Sequence, residues 1–226
     1  MPGKRIPLSK LTVVLGAVLV LIGTSAVARA QTASALVLET SGARIPVVQA
    51  YDEMLEGTSI SLPSGARLVF LHYHTCRTVA VIGGRIRFSM EKYTIDGGIK
   101  ESETRTACPR TVTLKAGGEM AGALIRSLGV GGVPLGTQPA FLLIGPRADD
   151  FASVRVSRGD AIVLESALDG RRFRWPSVTS PLAVDTEYEL VLVPKVSGSL
   201  PITMRFKAIS LAVEPAGEAL TLIRVE

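Results

Sequence analysis

The most regular feature of this chain is alternation. In "TVAVI" (Thr78–Ile82) and "RIRF" (Arg85–Phe88), apolar residues trade places with polar or small ones at every step. A period of two marks a strand with one buried face, because successive side chains leave opposite faces of a sheet. Gly83-Gly84 separates the two runs. Paired glycines can take the positive φ values of a tight turn, so the spacing predicts a hairpin with Ile82 facing Arg85 and Val79 facing Phe88. Val79, Val81, Ile86 and Phe88 then share a core face, and Arg85 and Arg87 share the other. Upstream, Glu56–Leu71 predicts two strands with a turn at Pro63 to Gly65. Downstream, Asp96-Gly97-Gly98 reads as a further turn, ahead of a strand at Thr111–Leu114.

From Ala140 onward, seven short runs follow one another: "AFLLIG", "ASVRVS", "AIVLES", "RRFRW", "YELVLVP", "ITMRFKAI" and "EALTLIRV". Gly, Pro and Asp break the chain between them, as at Gly145-Pro146, Arg158-Gly159-Asp160 and Asp169-Gly170. They predict a meander of strands in two packed sheets, with Trp175 as the plug between them. The stretch that joins the halves, Lys115–Pro139, is rich in glycine and predicts a linker, with a short helix at most over Glu119–Leu128. The expected fold class is all-β: two small β-sandwich or roll domains, 31–115 and 140–226, joined by a Gly-rich linker at 116–139.

The first thirty residues belong to neither domain. Lys4, Arg5 and Lys10 precede an apolar run from Leu11 to Gly23, and Ala28-Arg29-Ala30 has the small-x-small pattern of a cleavage site. That is the layout of a secretory signal peptide cut after Ala30, leaving Gln31 as the new terminus. The competing reading is an uncleaved anchor, but the run is short for a span of about 20 residues. No later segment is apolar enough to cross a membrane. The expected location is periplasmic or secreted.

Removing this segment changes the charge. The chain carries 25 basic and 20 acidic residues, and four of the basic ones lie in the first thirty. The remainder is nearly balanced, 21 against 20. A nucleic-acid partner, which needs a basic footprint, is not expected.

Candidate chemistry concentrates in "VFLHYHTCRTVAV" (Val69–Val81). On a strand, His72, His74 and Cys76 would line one face at intervals of about 7 Å. His-x-His with a nearby thiolate can hold zinc or copper. The alternative is a disulfide. An exported chain with two cysteines, Cys76 and Cys108, is expected to join them. A loop of that size contributes about 3–4 kcal/mol in the chain-entropy treatment. The disulfide is the expected outcome. It leaves His72 and His74 as strand residues and a metal site on them as the alternative, so no cofactor is expected.

Other motifs carry less. Arg158-Gly159-Asp160 falls where a turn is already expected. No Gly-x-Ser-x-Gly elbow or phosphate-binding loop occurs, and both histidines sit on one strand, which cramps a triad. Asp149-Asp150 reads as a polar loop. An enzyme would need a concave pocket lined by acids such as Asp149 or Asp185. Arg171, Arg172 and Arg174, like Arg85 and Arg87, read as a solvated face that protects sheet edges, with anionic glycans or headgroups as the rival reading. The chain is expected not to be an enzyme.

The stretch "MLEGTSISLPSGARLVFLHYHTCRTVAVIGGRIRF" (Met54–Phe88) resembles the FecR-like β domain of bacterial envelope proteins, in its glycine after an apolar entry, its small turn residues and its "V.GG...F" ending. "RWPSVTSPLAVDTEYELVL" (Arg174–Leu192) looks like the Ig-like modules of bacterial exported proteins, with Trp-Pro ahead of a "PL" turn and a Tyr-centred strand. The resemblance implies a non-catalytic periplasmic interaction domain with no catalytic residues to transfer. Sigma-regulator members of the first family carry a cytoplasmic region and a membrane span before this domain, whereas here ten residues precede the apolar run and a cleavage pattern follows it, so their transmembrane signalling role is not carried over. The expected function is a binding or structural module of the bacterial envelope, with an envelope protein or glycan of unknown identity as partner. The alternative is a periplasmic metal-binding protein using His72 and His74.

Overall fold

The computed structural model describes residues 32–114, 132–210 and 220–226. The expected signal peptide, most of the expected linker and the expected short helix at Glu119–Leu128 lie outside the described residues. Within them the fold is all-β, in three sheets. The first contains β1 (Ala33–Ser41), β2 (Glu53–Leu55), β3 (Ser59–His72), β4 (Arg77–Phe88), β5 (Tyr93–Asp96) and β6 (Ile99–Arg105). Its order is β2-β1-β3-β4-β5, with β6 also on β4.

The three turns expected at Pro63–Gly65, Gly83-Gly84 and Asp96–Gly98 are not turns. β3 and β4 run straight through the first two, as strands of 14 and 12 residues. Leu62 pairs with Gly84 and the next pair is Arg67 with Ile82, so Pro63 to Ala66 bulge out of β3 opposite Gly83. On the other side of β4, Arg85 pairs with Asp96 and Ile82 with Ile99, which sets Gly97-Gly98 beside the same two glycines. All three strands bend along one glycine seam. The left-handed conformations at Gly65, Gly83, Gly84 and Gly97 are those expected of a turn, used here in mid-strand at the first three and between β5 and β6 at Gly97 (φ 80°, 63°, 80° and 67°).

The seam also shifts the phase of β4. Val79 and Val81 lie before it and Ile86 and Phe88 after it, yet all four enter one core, as the alternation predicts. The sheet curls on itself and its two arms meet through aromatic rings. Phe70, from one arm, packs edge-on against Phe88 and Tyr93, from the other, at 5.0 and 5.1 Å between centroids.

The second half contains the seven expected strands: β9 (Ala140–Ile144), β10 (Phe151–Arg158), β11 (Ala161–Ala167), β12 (Arg172–Arg174), β13 (Glu187–Pro194), β14 (Ile202–Ile209) and β15 (Thr221–Val225). They do not form a simple meander. β7 (Arg110–Leu114) and β8 (Val133–Gly136) join them, in the orders β11-β10-β13-β14-β8 and β12-β9-β15-β7. β8 lies inside the stretch read as linker and pairs parallel with β14. β7 precedes that stretch, yet pairs parallel with β15.

The four-stranded sheet is a middle layer. On one face Phe141, Leu143, Ile223 and Val225 pack with Val154, Val156, Leu190, Leu192, Met204, Phe206 and the buried Trp175. On the other, Leu142, Ile144 and Leu222 pack against Leu36 of β1. Burial on both faces explains why β9 reads as an unbroken apolar run, "AFLLI", rather than alternating. Each such leucine contributes about 1.5–3 kcal/mol on full burial. The long segment between β12 and β13 is tied at both ends. Trp175 donates its indole N–H to the Thr179 carbonyl at 3.3 Å, and the Tyr188 hydroxyl accepts the Ala183 N–H at 3.0 Å.

Candidate functional site

The His72–Cys76 stretch is a turn. His72 closes β3 and pairs with Arg77, which opens β4, so Tyr73, His74, Thr75 and Cys76 make the reversal. Cys76 takes a left-handed conformation to complete it (φ 51°). The expected alignment of His72, His74 and Cys76 along one strand face is therefore corrected: the strand ends before the second histidine.

The three residues go to different places. Cys76 is bonded to Cys108, with Cα atoms 4.8 Å apart. His72 is wholly buried. Its Nδ1 accepts from the Thr75 N–H at 3.4 Å and lies 3.0 Å from the Thr75 hydroxyl, while its Nε2–H donates to the Ser89 carbonyl at 2.9 Å. Both ring nitrogens are thus engaged in holding the turn to the residue after β4. His74 is exposed. Among the described residues no three His, Cys, Asp or Glu side chains gather as metal ligands would.

A second cluster lies beside this turn. Glu53 of β2 accepts from the Tyr73 hydroxyl at 3.0 Å and from Arg224 of β15 at 2.6 Å, with the Glu53 side chain only 10% exposed. It joins the first sheet to the middle layer through residues 171 positions apart. Burial, then the neighbouring Glu53 charge and its hydrogen bond, push the Tyr73 phenol far above its ordinary range, with Arg224 opposing. Burial and then the Glu103 hydrogen bond do the same to Tyr93. An acid whose pKa is raised by folding adds stability that is complete below its unfolded value and is lost as pH rises past it. The chain should hold its urea midpoint up to about pH 9 and lose it steadily toward about pH 12, as unfolded tyrosines ionise near 10. Tyr73→Phe should make that alkaline slope shallower, and an unchanged slope would show that the buried phenol does not carry it.

The other candidates are dispersed. Asp149 lies in a short 3₁₀ turn and forms a two-pronged pair with Arg171, whose Nε is 2.8 Å away. That hydrogen bond, followed by the arginine's charge against opposing desolvation, holds the Asp149 carboxyl below its usual range. Asp150 pairs with Arg147 and Asp185 with Lys207, both at 3.0 Å. Arg158-Gly159-Asp160 is the exposed β10–β11 turn. Arg172 and Arg174 are exposed on either side of buried Phe173, and Arg85 and Arg87 are exposed on β4. The Arg172 guanidinium stacks on the Tyr51 ring, 5.0 Å from its centroid.

Open depressions indent the surface formed by the described residues. Ser61, Gly84, Arg85, Asp96 and Gly97 line one at the glycine seam. Gly159, Glu187, Tyr188, Glu189 and Arg205 line another. Neither includes Asp149 or Asp185. One feature missed by sequence reading is the exposed outer edge of β11. Its signal was present as a seven-residue run, "AIVLESA", with a single charge. Scanned against protein-family models, curated proteins and solved structures, the chain matches none.

Proposed function

We propose that this chain is an exported bacterial envelope protein, cleaved after Ala30, that acts as a non-catalytic binding or structural module. The observation that carries the reading is the Cys76–Cys108 disulfide, because such bonds persist in oxidising compartments. Within the described residues no helix is long and apolar enough to cross a membrane.

The second half is proposed to be Ig-like. Support comes from its two packed sheets and from the Tyr188 hydroxyl reaching back to Ala183 near the start of β13, the arrangement of a tyrosine corner. The first half is proposed to be FecR-like on the Met54–Phe88 residues. An envelope protein or glycan is the proposed partner class.

The test is export of the full chain into a bacterial periplasm, followed by intact-mass measurement with and without reductant. The expected product starts at Gln31 and gains the mass of two hydrogens on reduction. A full-length product still holding Met1, or one whose thiols are free before reduction, would overturn the reading.

A further inference from the structure

Several arginines of this fold are tied to a carboxylate: Arg67, Arg77, Arg155, Arg171 and Arg224 each hold one. Arg85 and Arg87 do not. Both are exposed on β4, two residues apart and so on one face. Among the described residues neither guanidinium has a hydrogen bond or an ion pair. Two unpaired guanidiniums about 7 Å apart on one face can close on a single anion.

The register shows what surrounds them. Arg85 pairs with Ser61 on one side and Asp96 on the other, and Arg87 pairs with Ser59 and Thr94. Residues paired in this way share a face. Ile45 extends the first row, because it exchanges both backbone hydrogen bonds with Ser61, at 3.0 and 2.7 Å. The outer face therefore carries one row of Ile45, Ser61, Arg85 and Asp96, and beside it a row of Ser59, Arg87 and Thr94. Neighbours along a row are about 5 Å apart. The depression at the glycine seam opens on Ser61, Arg85 and Asp96. The Ser59 hydroxyl has no hydrogen-bond partner among the described residues. At the apolar end Ile45 is 73% exposed, and Val47, two residues on, is 80% exposed.

We propose that this face docks on a lipid surface through the headgroup of phosphatidylethanolamine. The phosphodiester lies between Arg85 and Arg87, the primary ammonium meets Asp96, and Ile45 and Val47 enter the acyl boundary. Three features choose this occupant. The arginine pair takes the anion. Asp96 stands one strand spacing from Arg85, which suits a headgroup whose two opposite charges are close together, whereas a purely anionic surface would meet Asp96 as a repulsion. Exposed aliphatics beside arginines suit an interface rather than a dissolved anion, and neither row contains an aromatic residue on which a sugar could stack. The proposal deepens the binding-module reading by naming its partner, and rests on export to bring the chain to a membrane surface.

The test is co-sedimentation of the mature chain, disulfide intact, with three kinds of vesicle: phosphatidylcholine alone, its equal mixture with phosphatidylethanolamine, and its equal mixture with phosphatidylglycerol. The ethanolamine mixture should bind about three- to fivefold more tightly than phosphatidylcholine alone, the scale of one exposed ion pair, since a quaternary ammonium has no N–H for Asp96. It should also bind more tightly than the glycerol mixture. Asp96→Asn should remove most of the ethanolamine preference. Arg85→Gln with Arg87→Gln should weaken binding to every vesicle at least about fivefold. Arg158→Gln, an exposed arginine in the β10–β11 turn, should change nothing. Thermal melts check that each variant is folded. Binding to no vesicle overturns the proposal. So does binding that is strongest on the glycerol mixture, that keeps its ethanolamine preference in Asp96→Asn, or that Arg158→Gln weakens as much as the double variant does. Retention on purified peptidoglycan in place of vesicles would assign the face to a glycan and overturn it too. Because the mature chain meets the vesicles directly, failure here leaves the export result standing, and failed export leaves headgroup binding to be measured on its own.

Discussion

Gly84→Ala should destabilise the fold severely. A Cβ built on Gly84 would lie 2.3 Å from the Gly98 nitrogen, 2.5 Å from its Cα and 2.6 Å from the Asp96 carbonyl oxygen. All three are backbone atoms, so no side chain can swing aside. The residue is also left-handed at φ 80°, which costs a non-glycine residue about 1–2 kcal/mol before any clash. To admit one methyl group, β5 and β6 must move off β4, and with them the Tyr93 ring that packs against Phe70. The expected cost exceeds about 4 kcal/mol, a large part of the 5–15 typical of a whole domain. Gly97→Ala is the matched control. Its φ of 67° is equally left-handed, but a Cβ there meets nothing within 4 Å. That variant should fold, at a cost of about 1–2 kcal/mol. Soluble yield and thermal melting of the pair separate conformational strain from close packing. If Gly84→Ala melts within a few degrees of Gly97→Ala, the seam is not closed as described.

The same glycines show where local reading stops. "VIGGRI" is compatible with a two-residue hairpin and with a mid-strand bend, because both use positive φ at Gly83 and Gly84. What decides between them is pairing with Pro63–Ala66 on one side and Gly97-Gly98 on the other, and neither is visible from the dipeptide. Alternation still assigned Val79, Val81, Ile86 and Phe88 to one core, since either geometry flips the phase between the two runs. In the second half the strands were legible because turn residues punctuate them, but their order was not. Parallel partners such as β8 and β14 are distant in sequence, and "VPLG" carries little strand signal of its own. The candidate site divides in the same way. Two cysteines in one chain announce a bond by their number. The turn that places Cys76 does not announce itself, because it needs His72 held by Ser89, and the Glu53–Arg224 pair spans nearly the whole chain.

Replacing both cysteines, as Cys76→Ala with Cys108→Ala, should cost about 3–4 kcal/mol and lower the melting temperature by about 6–15 °C. The bond spans 32 positions, so most of the effect lies in the unfolded chain, which regains the freedom of an open loop. A native-state contribution is local. The bond ties the β3–β4 turn to the residues that leave β6, where Thr106 also donates its N–H to the Cys76 carbonyl at 2.9 Å. Two residues beyond Cys108 the chain enters β7 and pairs with β15 in the middle layer. The disulfide therefore stands where the backbone passes from the first sheet to the second. Without it, this crossing hangs on single hydrogen bonds and should exchange its amide hydrogens faster than the sheets on either side. Reduced wild-type protein should match the double variant in melting temperature, because in both the loop is open and neither keeps the covalent tie. A double variant that melts within about 2 °C of the oxidised protein would remove the disulfide as a stabilising element. With it would go the link between this fold and an oxidising compartment: a chain indifferent to its disulfide would have no thermodynamic reason to be matured outside the cytosol.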